Sequence, residues 1–89
     1  MKYHVEITKE AQKALKKMDK HTAKVITSWI KEHLEGCEDP YAFGKGLTSN
    51  RSGQWRYRVE NYRILAIIQD NQVLITVFKI AHRREVYDD

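Results

Sequence analysis

The spacing of apolar residues changes twice along this chain, and those changes limit the folds open to it. Tyr3, Val5 and Ile7 alternate with His4 and Glu6, the two-residue period of a strand with one buried face. From Thr8, a residue type suited to an N-cap, the period lengthens. Ala11, Ala14, Leu15 and Met18 recur at helical spacing, among Lys9, Lys13, Lys16, Lys17 and Lys20. Asp19 to His21 break this first helix. Ala23, Ile26, Ile30 and Leu34 make a second stripe, flanked by Val25 and Trp29, and Gly36 is a natural residue to end it. Two helices joined so closely are expected to run antiparallel. Glu38 to Gly53 reads as a loop, broken by Asp39-Pro40, Gly44, Gly46 and Ser52-Gly53. Alternation then resumes. Gln54 to Glu60 and Tyr62 to Gln69 are strands separated by a turn in which Asn61 takes the left-handed conformation. Gln72 to Ile80 is the last strand, after a turn at Asp70-Asn71. The order β-α-α-β-β-β predicts an α+β fold. It has an N-terminal strand, a two-helix antiparallel hairpin packed on one face and a three-stranded antiparallel meander.

A chain of 89 residues is expected to form a single domain, residues 1–89. With 42% hydrophobic and 31% charged residues it is too apolar for the disordered class. Its longest apolar run, Ile64 to Ile68, is far short of the roughly 20 residues of a membrane span. The first residues, Met1-Lys2-Tyr3-His4-Val5-Glu6, lack the apolar segment of a signal peptide. A lone cysteine, Cys37, forms no internal disulfide framework and has no partner at metal-ligand spacing. The expectation is a small cytoplasmic protein without a membrane partner.

The net charge of +4 is unevenly placed. All six arginines, Arg51, Arg56, Arg58, Arg63, Arg83 and Arg84, lie after residue 50, whereas eight of the ten lysines lie at or before Lys31. Lysine is a strongly hydrated point charge that solubilises surfaces. Arginine presents a planar fork that grips phosphate oxygens in pairs. The same division also follows from lysine suiting helices and arginine tolerating strands. Two-residue turns at Glu60-Asn61 and Asp70-Asn71 would fix the faces of the meander. Trp55, Tyr57, Val59, Ile64, Ala66, Ile68, Val73, Ile75 and Val77 then share the face on which the helices pack. Arg56, Arg58, Arg63, Leu65, Ile67, Leu74, Thr76 and Phe78 share the other. Arg58 stands opposite Arg63. Like charges so placed cost up to about 1 kcal/mol, which a bound anion relieves. Such a face suits a nucleic-acid backbone, with Phe78 as apolar surface for a base. A solvated sheet face with splayed arginines is the plainer alternative.

Lys45 and Arg51 decorate the loop. Gly44-Lys45-Gly46 lacks the spacing of a phosphate-binding P-loop. After the last strand, Ala81-His82-Arg83-Arg84-Glu85-Val86-Tyr87 brings an imidazole, two guanidiniums and a phenol, and is expected to reach the helix-free face. His4, His21 and His33 have no such chemical company.

At these residues the chain resembles the RelE/ParE superfamily of toxins from toxin–antitoxin modules. The resemblance rests on Trp55-Arg56-Tyr57-Arg58-Val59-Glu60-Asn61-Tyr62-Arg63-Ile64-Leu65, on Gly44-Lys45-Gly46-Leu47 before it, and on His82-Arg83-Arg84-Glu85-Val86-Tyr87. The C-terminal run is more similar to the RelE branch. The resemblance implies a ribosome-dependent endoribonuclease that cuts mRNA in the ribosomal A site and is neutralised by a RelB-like antitoxin. It places the family's basic pair on Arg56 and Arg58, its second-strand arginine on Arg63, and its C-terminal arginine and tyrosine on Arg83 (or Arg84) and Tyr87. Some relatives carry lysine where Arg56 and Arg58 stand. Arginine keeps its proton, which leaves Tyr87 and His82 as candidate bases. Lys45, Arg51, Arg84 and Phe78 are the expected RNA contacts. The chemistry, attack by the RNA 2′-OH on the neighbouring phosphorus, requires no metal and no cofactor. A ParE-like, gyrase-directed toxin without RNase activity and an inactive binding module remain open on the same residues.

Overall fold

Side-chain caps begin both helices. The structure, a computed structural model, describes residues 2–46 and 53–85. It places β1 at His4–Ile7 and α1 at Lys9–Lys17. The Thr8 hydroxyl accepts the Ala11 N–H at 3.2 Å, satisfying a donor that every helix start leaves open. Asp19 performs the same service for α2, Lys20–His33, where its carboxylate accepts the Thr22 N–H at 3.0 Å and the Thr22 hydroxyl at 2.7 Å. The break expected over Asp19 to His21 is therefore shorter, because Asp19 acts as a cap and the helix resumes at once. The same hydrogen bonds hold the Asp19 carboxyl below its ordinary range.

Beyond α2, a 3-10 turn spans Pro40–Ala42 and a short strand, β2, spans Lys45–Gly46 within the stretch expected to be loop. β3 (Gln54–Val59), β4 (Tyr62–Gln69) and β5 (Leu74–His82) follow. The sheet order is β1-β5-β4-β3-β2. The meander is antiparallel as expected. β1, however, joins β5 in parallel, with His4 opposite Leu74, so the sheet is mixed. Parallel pairing needs a long crossover, and the helices supply it.

The first hairpin has the expected register: Val59 faces Tyr62 and Arg58 faces Arg63. Glu60, not Asn61, takes the left-handed conformation, at φ 56°. The second turn departs from expectation. Asp70–Gln72 form a 3-10 turn and Val73 is left-handed at φ 52°, so Ile68 pairs with Ile75 and Ala66 with Val77, two residues beyond Val73 and Ile75, the partners expected from a two-residue turn at Asp70-Asn71. A shift of two preserves the faces. Val73 itself lies in the turn and leaves the strand. A β-bulge then changes the alternation. Ala66 faces Val77 but Leu65 faces Lys79, leaving Phe78 as the extra residue. Past the bulge, Ile80 lies opposite Ile64 on the helix side, and Ala81 opposite Arg63 on the other.

Ile26 and Leu34 from the helical segment meet Tyr57, Ile64, Ala66, Ile75 and Val77 from the sheet in a core closed to solvent. Among the described residues no helix is long and apolar enough to cross a membrane.

Candidate functional site

Strand β3 sends Trp55, Tyr57 and Val59 toward the helices and Arg56 and Arg58 the other way. Cross-strand pairing puts Lys45 of β2 beside Arg56, and Arg63 of β4 beside Arg58. Four cations thus share the helix-free face. Gly44, Lys45, Arg56 and Arg58 line a pocket of about 230 Å³ there. The plainer alternative, a solvated face with splayed arginines, is not what the structure has. Arg56 and Arg63 are only 3% and 7% exposed, while Arg58 and Lys45 are open to solvent. Guanidinium is weakly hydrated and tolerates burial better than an ammonium, so two arginines are seated in the protein and two cations project from it.

The loop carrying Lys45 is tied to the sheet at successive points. The Tyr57 hydroxyl, inside the core, donates to the Pro40 carbonyl at 2.8 Å. The Tyr41 hydroxyl donates to the Asp70 carboxylate at 2.9 and 3.0 Å, and the Tyr3 hydroxyl to the same carboxylate at 2.7 Å. The Trp55 indole N–H donates to the Phe43 carbonyl at 2.6 Å. Gly44 then turns at φ +70°, where a side chain would run into the Arg56 carbonyl oxygen. Burial pushes the Tyr57 phenol well above its ordinary pKa. The Asp70 hydrogen bond pushes Tyr3 up to about 12, and burial followed by the Asp70 bond raises Tyr41. All three hydroxyls therefore remain donors at neutral pH. Those of Tyr57 and Tyr41 tie the loop, and that of Tyr3 ties the segment before β1 to the same Asp70.

At the C-terminal end, His82 is the last residue of β5, not part of a segment leaving it. Its partner Tyr62 lies on the helix side, with the rings edge-on at 5.3 Å. His82 lines a cavity of about 250 Å³ with Ala14, Lys17 and Met18, and another of about 310 Å³ with His21 and Val25. The bulge thus places this imidazole on the opposite side of the sheet from Arg58 and Arg63. The Arg84 N–H donates to His82 Nδ1 at 3.2 Å. Arg83 donates its N–H to the Asn61 carbonyl at 2.8 Å, which anchors its backbone at the Arg58–Arg63 end of the first hairpin. Arg83 and Arg84 are exposed, and Phe78 is half-buried. Arg51 and Tyr87 lie outside the described residues.

The expected cations Lys45, Arg56, Arg58 and Arg63 are thus brought together, while His82 is set apart. Sequence reasoning passed over Gly44, Trp55 and Tyr57 as site-forming residues. For Trp55 and Tyr57 the signal was the alternation of aromatic and arginine along β3; for Gly44 it was a glycine directly before Lys45. Burial also raises the Cys37 thiol, on the stretch after α2 whose Cys37 carbonyl accepts the Tyr3 N–H at 2.9 Å. Among the described residues, no three of His, Cys, Asp and Glu are grouped as for a metal. A larger cavity of about 460 Å³ runs along α2 past Lys24 and Trp29, but Glu32 offsets its charge and no cations converge there.

A family model described as ParE toxin of type II toxin-antitoxin system, parDE, matches residues 5–87. Solved structures share the fold. The toxin–antitoxin complex RelBE2 from Mycobacterium tuberculosis is similar at a TM-score of 0.82 and 24% identity, with 93% of each chain covered. The archaeal RelE-RelB complex from Pyrococcus horikoshii OT3 has a TM-score of 0.70 at 22% identity, over 97% of this chain and 100% of that one. The isolated E. coli RelE toxin has a TM-score of 0.68 at 16% identity, over 90% of this chain and 83% of that one. No curated protein matches the sequence.

Proposed function

Because the chain belongs to the ParE toxin family of type II toxin–antitoxin systems, we propose that it is a RelE-like mRNA interferase. In this reading it is a cytoplasmic, ribosome-dependent endoribonuclease that cuts A-site mRNA and is held in check by a RelB-like antitoxin. The observation that carries the reading is the cation set on the helix-free face: Lys45, Arg56 and Arg58 around a pocket of about 230 Å³, with buried Arg63 across from Arg58. The C-terminal His82-Arg83-Arg84-Glu85-Val86-Tyr87 run supports it from the sequence.

The RNA supplies its own nucleophile. Its 2′-OH attacks the adjacent phosphorus, a 2′,3′-cyclic phosphate forms, and the 5′-oxygen leaves as a hydroxyl. The protein must align the attack, take the 2′-proton, offset the charge that builds on phosphorus, and protonate the leaving oxygen. Arginines suit the third task because they never titrate. Arg63 and Arg83 are assigned to the scissile phosphate, Arg56 and Arg58 to that phosphate and the backbone beside it. Lys45, Arg51 and Arg84 hold flanking phosphates, and Phe78 offers apolar surface to a base. Proton transfer falls to Tyr87. His82, on the helix side, takes no part in this scheme.

The test is expression from an inducible promoter with primer-extension mapping of mRNA ends on ribosomes. New 5′ ends with translational arrest, both lost in Arg58→Ala at equal expression, support the reading. The family model carries the ParE name, and a gyrase-directed toxin on the same fold is the competing reading. SOS induction and DNA breaks without new mRNA ends would establish that one instead.

A further inference from the structure

Lys45 projects from a two-residue strand, too short to fix its own geometry. One side chain grips the backbone on both sides of it. The Trp55 indole N–H holds the Phe43 carbonyl at 2.6 Å, and the six-membered part of the same ring lies against Gly46, where an added methyl would come within 3.1 Å of indole Cζ3. The Tyr41 ring packs edge-on to the indole at 4.9 Å, backing it from the loop side. Trp55 points to the helix side and Lys45 to the other, so the indole fixes the lysine through the backbone without touching its ammonium group.

We propose that Trp55 is a positioning residue for Lys45, and that the indole N–H bond to Phe43 sets the place of this cation in the phosphate pocket. The inference rests on the reading of that pocket as a phosphate site and adds the residue that shapes it. Gly44 is part of the same device. Its left-handed backbone lets the loop settle on the Arg56 carbonyl, and Lys45 follows directly from that contact. A flexible lysine on a free loop loses side-chain and backbone freedom each time it meets a phosphate. A pinned loop has given up the backbone part in advance.

The experiment titrates inorganic pyrophosphate into the purified chain and follows the amide signals of Gly44, Lys45 and Arg58 by NMR. The variants are Trp55→Phe, which keeps a ring and deletes the N–H, Lys45→Ala, and the double variant. Thermal melting of each verifies folding. The expected result is that Lys45→Ala weakens binding about tenfold, as for one charge-assisted contact. Trp55→Phe should lose several-fold while Lys45 is present and nothing further in the Lys45→Ala background. Wild-type affinity in Trp55→Phe, or losses that multiply in the double variant, overturn the positioning role and leave the pocket standing. Absence of pyrophosphate binding to the unaltered chain overturns the phosphate reading and this inference together. If Trp55→Phe melts early, Tyr41→Leu, which removes the ring backing the indole, must show the same Lys45-dependent loss.

Discussion

Arg56 and Tyr57 are neighbours on one strand and both are buried, at 3% and 0% exposure, yet they belong to different surfaces. On the helix side, burial follows from apolar area. Tyr57 joins Ile64, Ile75 and Val77, and its single polar atom has the Pro40 carbonyl as acceptor. On the other side two guanidiniums are buried beside Leu65 and Ala81, and their neighbours Arg58 and Lys45 face solvent. The first face is organised to exclude water. The second holds positive charge in fixed places, which a fold driven by apolar burial alone would not assemble. Stability and recognition are therefore separated by the thickness of one sheet, and substitutions should separate in the same way.

The largest effect is expected from Ile64→Ala, which opens a cavity in the closed core and should cost about 2–5 kcal/mol in chemical denaturation. A loss below about 1 kcal/mol would break the claim that this face carries the stability. Next comes Arg58→Ala. It should lower RNA cleavage about 100-fold, as for loss of one preorganised donor, with denaturation unchanged within about 0.5 kcal/mol. Arg63→Ala, at a site 7% exposed, should lose activity and stability together. Equal behaviour of the two would erase the distinction between seated and projecting arginines. Tyr57→Phe should cost about 1–2 kcal/mol by leaving the Pro40 carbonyl without its donor, without disturbing Arg58. The smallest effect concerns acid. Glu35 accepts the Val5 N–H and the His4 ring, each at 3.0 Å, and Asp19 caps α2. Both carboxyls are held below their ordinary pKa. Their contribution is present above the unfolded carboxylate value and is lost as pH falls through the lowered folded one. NMR titration should find both below the ordinary carboxylate range and should find a melting temperature that declines through that window.

The helices and the first hairpin were legible because their signals are local. Thr8 shows its capping role in four residues, and a two-residue turn at Glu60-Asn61 leaves one register for Arg58 and Arg63. The second turn was not legible. Nothing marks Val73, a β-branched residue, for the left-handed region. The bulge had a faint signature: apolar residues at Ile75, Val77 and Ile80 break strict alternation, and that break moves His82 to the helix side. The pairing of β1 with β5 has no local signal at all. The placement of the cations was readable from alternation, whereas the burial of Arg56 and Arg63 was not, since burial depends on what the whole sheet assembles around them. The family resemblance named the same strand residues, and a family model matches the chain over residues 5–87.

The parallel ladder between β1 and β5 also bears on when this protein exists as a folded object. His4 pairs with Leu74 and Ile7 with Val77, and the Tyr3 hydroxyl reaches Asp70, so the first strand has no ladder partner until the last has been translated. Contacts this distant in sequence are closed late and slowly. During synthesis the helices can therefore form while the sheet is incomplete, and Arg63 gains its β5 neighbour Ala81 only once β5 has been made. A product interrupted before β5 leaves β1 without its ladder partner and β4 with an open edge, so the sheet that carries the cationic face is unfinished.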